Sequence, residues 1–170
     1  RGMDTKRMRE TARRVAKELG LYYENANFIV CHIGGGVSVT AHLQGQMVDS
    51  NDIINGEGPM APTRSGALPA VQFMDLCYSG RWTRDEMYKR LTKTGGFVDH
   101  LGTSEVLDII PRIERGDQYA ELIYNSFIYQ IAKEIGAMAA VLRGRIDAII
   151  LTGGISHDEA LCNSLRDRIG

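Results

Sequence analysis

Phe28-Ile29-Val30-Cys31-His32-Ile33-Gly34-Gly35-Gly36-Val37-Ser38-Val39-Thr40 changes character at its three glycines. Residues 28–33 form an apolar run broken only by His32, as in a strand buried on both faces. Beyond the glycines, Val37, Val39, Ala41 and Leu43 alternate with Ser38, Thr40 and His42, the period of a half-buried strand. Three glycines between two strands read as a hairpin whose backbone turns sharply and admits a ligand closely. Gln44-Gly45 reads as a second tight turn, into a third strand over 46–49.

Helices are expected on both sides of these strands. Met8, Ala12, Val15, Ala16 and Leu19 recur at helical spacing over 3–19, and Gly20 supplies a stop. The opposite face carries Lys6, Arg7, Arg9, Arg13, Arg14 and Lys17, most simply a solvated basic face. Residues 51–69 form a loop rich in Gly, Pro and Asn. Pro69 suits the first turn of a helix ending before Gly80. Thr83 with Glu86 makes a capping box for a helix to about Lys93. Ser104 caps a further helix that stops near Gly116. The segment 119–142 places Ile123, Phe127, Ile128, Ile131, Ile135, Met138, Ala139 and Leu142 on one face. Its Gly136-Ala137 and Ala139-Ala140 steps leave room for a neighbouring element. Residues 147–151 read as a buried strand and Thr152-Gly153-Gly154 as a tight turn. Ser156 and Glu159 read as a capping box opening a helix to Ile169. The order predicts an α/β fold, a mixed sheet flanked by helices. Residues 1–27 form a leading helix and connection, and 28–170 the main domain.

Composition narrows the class. The chain has 170 residues, 44% of them hydrophobic and 24% charged, enough for one sizeable core. A net charge of −1 removes the main electrostatic argument for nucleic acid or an anionic membrane as partner. No apolar run approaches the ~20 residues that span a bilayer. Cys31, Cys77 and Cys162 are odd in number and widely spaced, fitting neither a zinc pattern nor a disulfide framework. A reduced, cytoplasmic protein is expected. The start at Arg1-Gly2 and the stop at Gly170 read as a piece of something longer.

Three clusters can carry chemistry. In the first, backbone N–H groups of Gly34, Gly35 and Gly36 can cradle phosphate oxygens, with His32 donating into the same space and Ser38 beyond. The bland alternative is a glycine-rich hairpin beside a satisfied histidine. The second is Gly56-Glu57-Gly58-Pro59-Met60-Ala61-Pro62-Thr63-Arg64-Ser65-Gly66, a stiff loop able to fix one guanidinium. Arginine suits phosphoryl transfer because its planar fork contacts two oxygens and stays charged. The alternative is a surface arginine paired to Glu57. The third is Leu151-Thr152-Gly153-Gly154-Ile155-Ser156-His157-Asp158-Glu159, a strand running into a helix N-terminus. Asp158 and Glu159 would repel a phosphate there, so Gly153, Gly154 and Ile155 are expected to face the neutral adenosine. Gly102, Thr103 and Ser104 are lesser candidates for the nucleotide cleft. His42 and His100 read as structural or exposed, and Trp82 and the tyrosines as packing residues. No residue is assigned to a metal.

Taken in this order, the clusters resemble the acetate and butyrate kinases of the acetokinase family, within the sugar kinase, heat-shock ATPase and actin superfamily. Cys31-His32-Ile33-Gly34-Gly35-Gly36 resembles the family's second phosphate motif, Thr63-Arg64-Ser65-Gly66 its transition-state arginine segment, and Thr152-Gly153-Gly154-Ile155 its adenosine motif. The third glycine, at Gly35, is similar to the butyrate kinases. So are Gly56-Glu57-Gly58-Pro59, the stretch from Gly95 to Thr103, and the stretch from Ile131 to Leu142. Glu105 and Leu107 stand where family members often carry Asp-x-Arg, and His157 where acetate kinases carry an acidic residue. The resemblance implies a ribonuclease H-like ATPase domain of the actin and Hsp70 type, one half of a two-domain kinase. It implies transfer between ATP and a short-chain carboxylate, butyrate first and acetate, propionate or a branched acid as alternatives, with Mg2+. A non-catalytic nucleotide-binding or assembly module of the same fold is the other alternative. His32 and Arg64 would be catalytic, and acyl phosphate and short-chain fatty acid the ligands. It further implies a homo-oligomer, such as a dimer, and an isolated half that is inactive.

Overall fold

The computed structural model describes residues 2–170, with side chains from Thr5 onward; Arg1 of the leading segment lies outside the described residues. Four strands, β1 (Asn27–Ile33), β2 (Val37–Leu43), β3 (Gln46–Ser50) and β4 (Ala148–Thr152), form one sheet in the order β3-β2-β1-β4. β2 runs antiparallel to β1 and β3, whereas β4 joins β1 in parallel. The sheet is mixed, as expected. β1 is interior to the sheet and buried on both faces from Phe28 to Cys31, which explains an apolar run broken only by the half-buried His32.

Helices cover the two faces. Ile29, Cys31, Ile33, Val37, Val39 and Ala41 point to a core completed by the long helix α6 (Gln118–Val141). Phe28 and Val30 point the other way, onto Met8, Ala12 and Ala16 of α1 (Gly2–Glu18). α1 ends in a Schellman turn: Leu21 N–H reaches Ala16 O and Gly20 N–H reaches Lys17 O, with Gly20 at φ +70°. The α1 face of β2 is polar yet buried at Ser38, Thr40 and His42. Thr40 donates to Val30 O, His42 Nε2 lies 2.9 Å from Thr40 Oγ1, and His42 Nδ1 lies 2.9 Å from Tyr23 OH. Both ring nitrogens of His42 therefore have a partner, whichever of them carries the hydrogen. Burial pushes the His42 pKa down to about 4.

The remaining helices are α2 (Ala70–Tyr78), α3 (Arg84–Thr92), α4 (Phe97–Leu101), α5 (Val106–Glu114) and α7 (Glu159–Ile169). The Thr83–Glu86 capping box forms in full. Five local expectations fail. β2, read as half-buried, is buried from Val37 to His42, and β4, read as buried, is an edge strand in which only Ile150 is buried. Ser104 caps nothing: the N-cap of α5 is Glu105, and Ser104 donates to its carboxylate. Ser156 and Glu159 form no capping box, because residues 154–157 make a 3-10 turn and Asp158 caps α7 through Leu161 N–H. Gly136 and Ala137 are exposed and a Cβ on Gly136 would meet nothing within 4 Å, so no element among the described residues uses that step. α4 is unforeseen, and it matters to the site below. Among the described residues no helix is long and apolar enough to cross a membrane.

Candidate active site

The hairpin glycines have φ values outside the left-handed region, so turn geometry does not explain them. Close approach explains Gly36, where a Cβ would crowd Arg64; at Gly34 and Gly35 a Cβ would make only ordinary contacts. A Cβ on Gly34 would lie 3.5 Å from His32 Nε2, and one on Gly35 would lie 3.5 Å from Thr63 Oγ1. A Cβ on Gly36 would meet Arg64 at 2.9 Å from Nε and 3.1 Å from Cδ. The first two clusters are therefore one site, stacked glycine by side chain. His32 pairs with Ser38 across the β1–β2 ladder on the α1 face. Gly34 N–H closes the turn onto Gly36 O at 3.0 Å, so that donor serves the hairpin and not a ligand.

The arginine loop is pinned along its length. Asn51 is buried and accepts from Val39 N–H at 2.7 Å, while its NH2 donates to Val37 O at 3.0 Å and Glu57 O at 3.3 Å. Glu57 accepts from Asp52 N–H at 2.7 Å. Thr63 donates twice to Gly35 O, from its amide at 3.1 Å and its hydroxyl at 2.8 Å. Thr63 O accepts from Gly95 N–H and Pro62 O from Val98 N–H. Gly96, at φ +59°, has no room for a Cβ because the carbonyls of Ala61 and Arg64 press on it. Phe97 then enters the core, edge-on to Phe127 at 4.8 Å, a pair worth about 0.5–1.5 kcal/mol beyond area burial. α4 is thus the anchor of the Arg64 loop.

Arg64 does not pair with Glu57. Its Nη1 donates to Ile53 O at 2.6 Å, and its Nε is buried with no partner among the described residues. A buried guanidinium N–H without an acceptor is costly unless something supplies one. Ile53 also lines a cleft of about 280 Å³, whose walls include Met8, Ser38, Thr40, Met47 and Ile54. The cleft therefore opens on the α1 face, beside both the His32–Ser38 pair and the Arg64 anchor.

The third cluster reaches the same sheet end from β4. Thr152 pairs with His32 in the parallel ladder. Gly153, at φ +98°, lies so close to the Ile33 carbonyl that a Cβ cannot fit. Ser156 donates to Gly153 O at 2.6 Å, and the space beside Gly154 is open. Asp158 occupies the α7 N-terminus, satisfying the donors an anion would want. Tyr124, read from the sequence as packing, has a buried hydroxyl without a hydrogen-bond partner among the described residues, its pKa pushed up to about 12 by burial and then by Asp158 and Cys162. Gly102, Thr103 and Ser104 make local contacts: Thr103 donates to Asp108 and accepts from Glu105 N–H, and Gly102, at φ +75°, ends α4. No hydrogen bond among the described residues joins them to the hairpin. Asn51, Thr63 and the Ile53 carbonyl escaped the sequence reading. The one available signal was the Asn51-Asp52 step directly after a strand.

Among the described residues no group of three or more His, Cys, Asp or Glu is arranged to hold a metal ion. The donor set suits an anion instead: one arginine with an unmatched N–H, a histidine, and a glycine backbone open to close approach.

Comparison with known proteins bears on this geometry. The family model described as "Acetokinase family" matches residues 6–167. A curated relative from Bacteroides thetaiotaomicron, named "Probable butyrate kinase", is 49% identical over 93% of the chain and 45% of its own length. The chain belongs to the acetokinase family. Among solved structures, Porphyromonas gingivalis acetate kinase aligns with a TM-score of 0.83 at 27% identity, over 94% of this chain and 39% of its own. A Francisella tularensis propionate kinase aligns at 0.83 and 25% identity, over 95% and 42%. The chain spans less than half the length of these relatives. The four-stranded mixed sheet with flanking helices is the ribonuclease H-like fold of actin and Hsp70-type ATPases, as expected from the sequence. In this acetokinase-family domain, the hairpin, the Arg64 loop and the Gly153 turn meet at one end of β1.

Proposed function

We propose that the full-length protein transfers a phosphoryl group between ATP and a short-chain carboxylate, with butyrate the preferred acid. The observation that carries this reading is Arg64: its guanidinium is fixed on the Ile53 carbonyl over Gly36, with Nε buried and unmatched. A carboxylate oxygen attacks the γ-phosphorus, the bond to the β-bridging oxygen breaks, and acyl phosphate and ADP result. Such in-line transfer needs placement and charge neutralisation more than covalent chemistry. Arg64 neutralises charge growing on the equatorial oxygens, and His32 hydrogen-bonds the transferring group. The hairpin backbone approaches the β- and γ-phosphates, with Ser38 beside it. Gly153, Gly154 and Ile155 face the adenosine, and Gly102, Thr103 and Ser104 line the far side of the nucleotide cleft. Magnesium, implied by the family, would neutralise phosphate charge when bound; among the described residues no group of three or more His, Cys, Asp or Glu is arranged to hold it.

The cleft at Ile53 receives the alkyl chain of the acid. Met8, Met47, Ile53 and Ile54 give it an apolar part beside the polar Ser38, Thr40, Asn51 and Asp52, with room for a chain longer than acetate's. The name of the Bacteroides relative supports butyrate at 49% identity. Residues 28–170 are then the ATPase-fold half of a two-domain, homo-oligomeric, cytoplasmic enzyme, inactive by itself. The test is acyl hydroxamate formation by the full-length protein with ATP and unbranched acids of two to six carbons. Highest kcat/KM with butyrate is expected. Preference for acetate or propionate would replace the acid and keep the reaction class. Absence of acyl phosphate with every acid, despite ATP binding, would favour a non-catalytic nucleotide module.

A further inference from the structure

Asn51 stands at the junction of the segments that shape the Arg64 site, and it also lines the cleft proposed for the alkyl chain of the acid. Its amide orientation is fixed by backbone partners: the oxygen must face Val39 N–H, and the NH2 must face the carbonyls of Val37 and Glu57. Val37 and Val39 belong to the strand that leaves the glycine hairpin. Glu57 opens the loop that carries Arg64, and its carboxylate returns to Asp52 N–H, one residue before Ile53. One side chain thus couples the hairpin, the base of the arginine loop and the segment whose carbonyl holds the guanidinium. Gly58, at φ +86°, has no room for a Cβ because the Asn51 amide fills that space.

We infer that Asn51 is the positioning residue that fixes Arg64 relative to Gly36. It acts by holding Ile53 in register with β2, so that the guanidinium cannot slide along the hairpin. Its loss frees the 51–58 segment and with it the Ile53 carbonyl, while leaving the hairpin's approach to the nucleotide intact. The kinetic readout rests on the carboxylate kinase reading; the chemical one below does not.

The test uses the full-length protein with Asn51→Ala and Asn51→Asp, each alone and combined with Arg64→Ala. Asn51→Asp keeps the size and the bond to Val39, and carries both measurements should Asn51→Ala not fold. Each single variant is expected to lower kcat at least about tenfold, as a displacement of part of an ångström does, with KM for ATP changed less than about threefold. In the Arg64→Ala background the same change should cost less than about twofold, because coupled residues are non-additive. A structural defect would instead lower kcat equally in both backgrounds, and that additive result overturns the inference. Independently, phenylglyoxal labelling of Arg64, read by peptide mass spectrometry, should speed up several-fold in Asn51→Asp. Unchanged labelling also overturns it. A wild-type protein without turnover on any carboxylate refutes the proposed function, and labelling then decides the role of Asn51 by itself.

Discussion

Gly36→Ala adds one methyl group, and its effect can be worked out from the distances. The new Cβ would lie 2.9 Å from Arg64 Nε and 3.1 Å from Cδ, against the roughly 3.5–4.0 Å of ordinary contact. The arginine must withdraw by about 0.5–1 Å. Its far end cannot simply swing aside, since Nη1 is held on Ile53 O at 2.6 Å. Misplacement of about 1 Å costs up to ~10²-fold in rate, so kcat should fall about 10–100-fold. The backbone itself tolerates alanine, because φ at Gly36 is not in the left-handed region. Loss of unfolded-state freedom even favours the variant by about 0.4–1 kcal/mol. Activity should therefore drop while Tm stays within a few degrees of wild type. Gly35→Ala is the control: its Cβ meets Thr63 Oγ1 at 3.5 Å, an ordinary contact that leaves Arg64 in place. Any loss there should fall on KM for ATP, since it reports on phosphate approach to the backbone. The assay is steady-state hydroxamate formation with thermal unfolding in parallel. Normal kcat for Gly36→Ala, or a loss confined to KM for ATP, would refute the view that this glycine exists to admit Arg64.

Arg64→Ala should lower kcat by about 10³–10⁵, equivalent to roughly 4–7 kcal/mol of barrier, and Arg64→Lys should recover little because a point charge lacks the fork; single-turnover rates check both. The buried neutral His42, with its pKa near 4, binds no proton in the folded state where the unfolded chain, at about 6.5, does. Folding stability is then full above pH 6.5 and declines as pH falls towards 4, by at most about 3 kcal/mol. Urea midpoints between pH 4.5 and 7.5 should show this slope in the wild type and a flatter one in His42→Gln. Thiol labelling of the native protein should modify exposed Cys77 first. Cys31, buried with its pKa pushed up to about 12, should react only on unfolding; prompt labelling of Cys31 would contradict the burial of β1.

The fold was readable where one local rule acted alone. The shift from an apolar run, broken only by His32, to strict alternation marks β1 as central and β2 as its antiparallel neighbour, and the ladder pairs them without slippage. α6 was readable because eight apolar positions keep one helical phase. Two overlapping signals defeated the reading near residue 156. Ser156 with Glu159, and Asp158 with Leu161, each satisfy a helix-start pattern. Gly153 decides between them: its φ of +98° and its contact with Ile33 turn the chain so that Ser156 serves the 3-10 turn instead. α4 was unreadable for another reason. Five residues carry no measurable period, and their helix exists because Phe97 must reach Phe127 once Gly96 has passed the Arg64 carbonyl.

The site was legible as three clusters and illegible as a single object, and the glycines show why. Composition at Gly34, Gly35 and Gly36 announces that side chains are excluded, without telling whether rotation or crowding excludes them. Rotation is a local property and would leave a positive φ. None is present here, and crowding acts at one position: Arg64, from the distant loop, excludes a side chain at Gly36, whereas a Cβ at Gly35 would make only an ordinary contact with Thr63. Such a constraint is pairwise, and a sequence read one window at a time sees only one partner. The hairpin and the Arg64 loop should therefore behave as one unit. A larger residue at Gly36 is tolerable only where the residue at 64 retreats, and a retreating residue there gives up the fixed cation on which the proposed phosphoryl transfer depends.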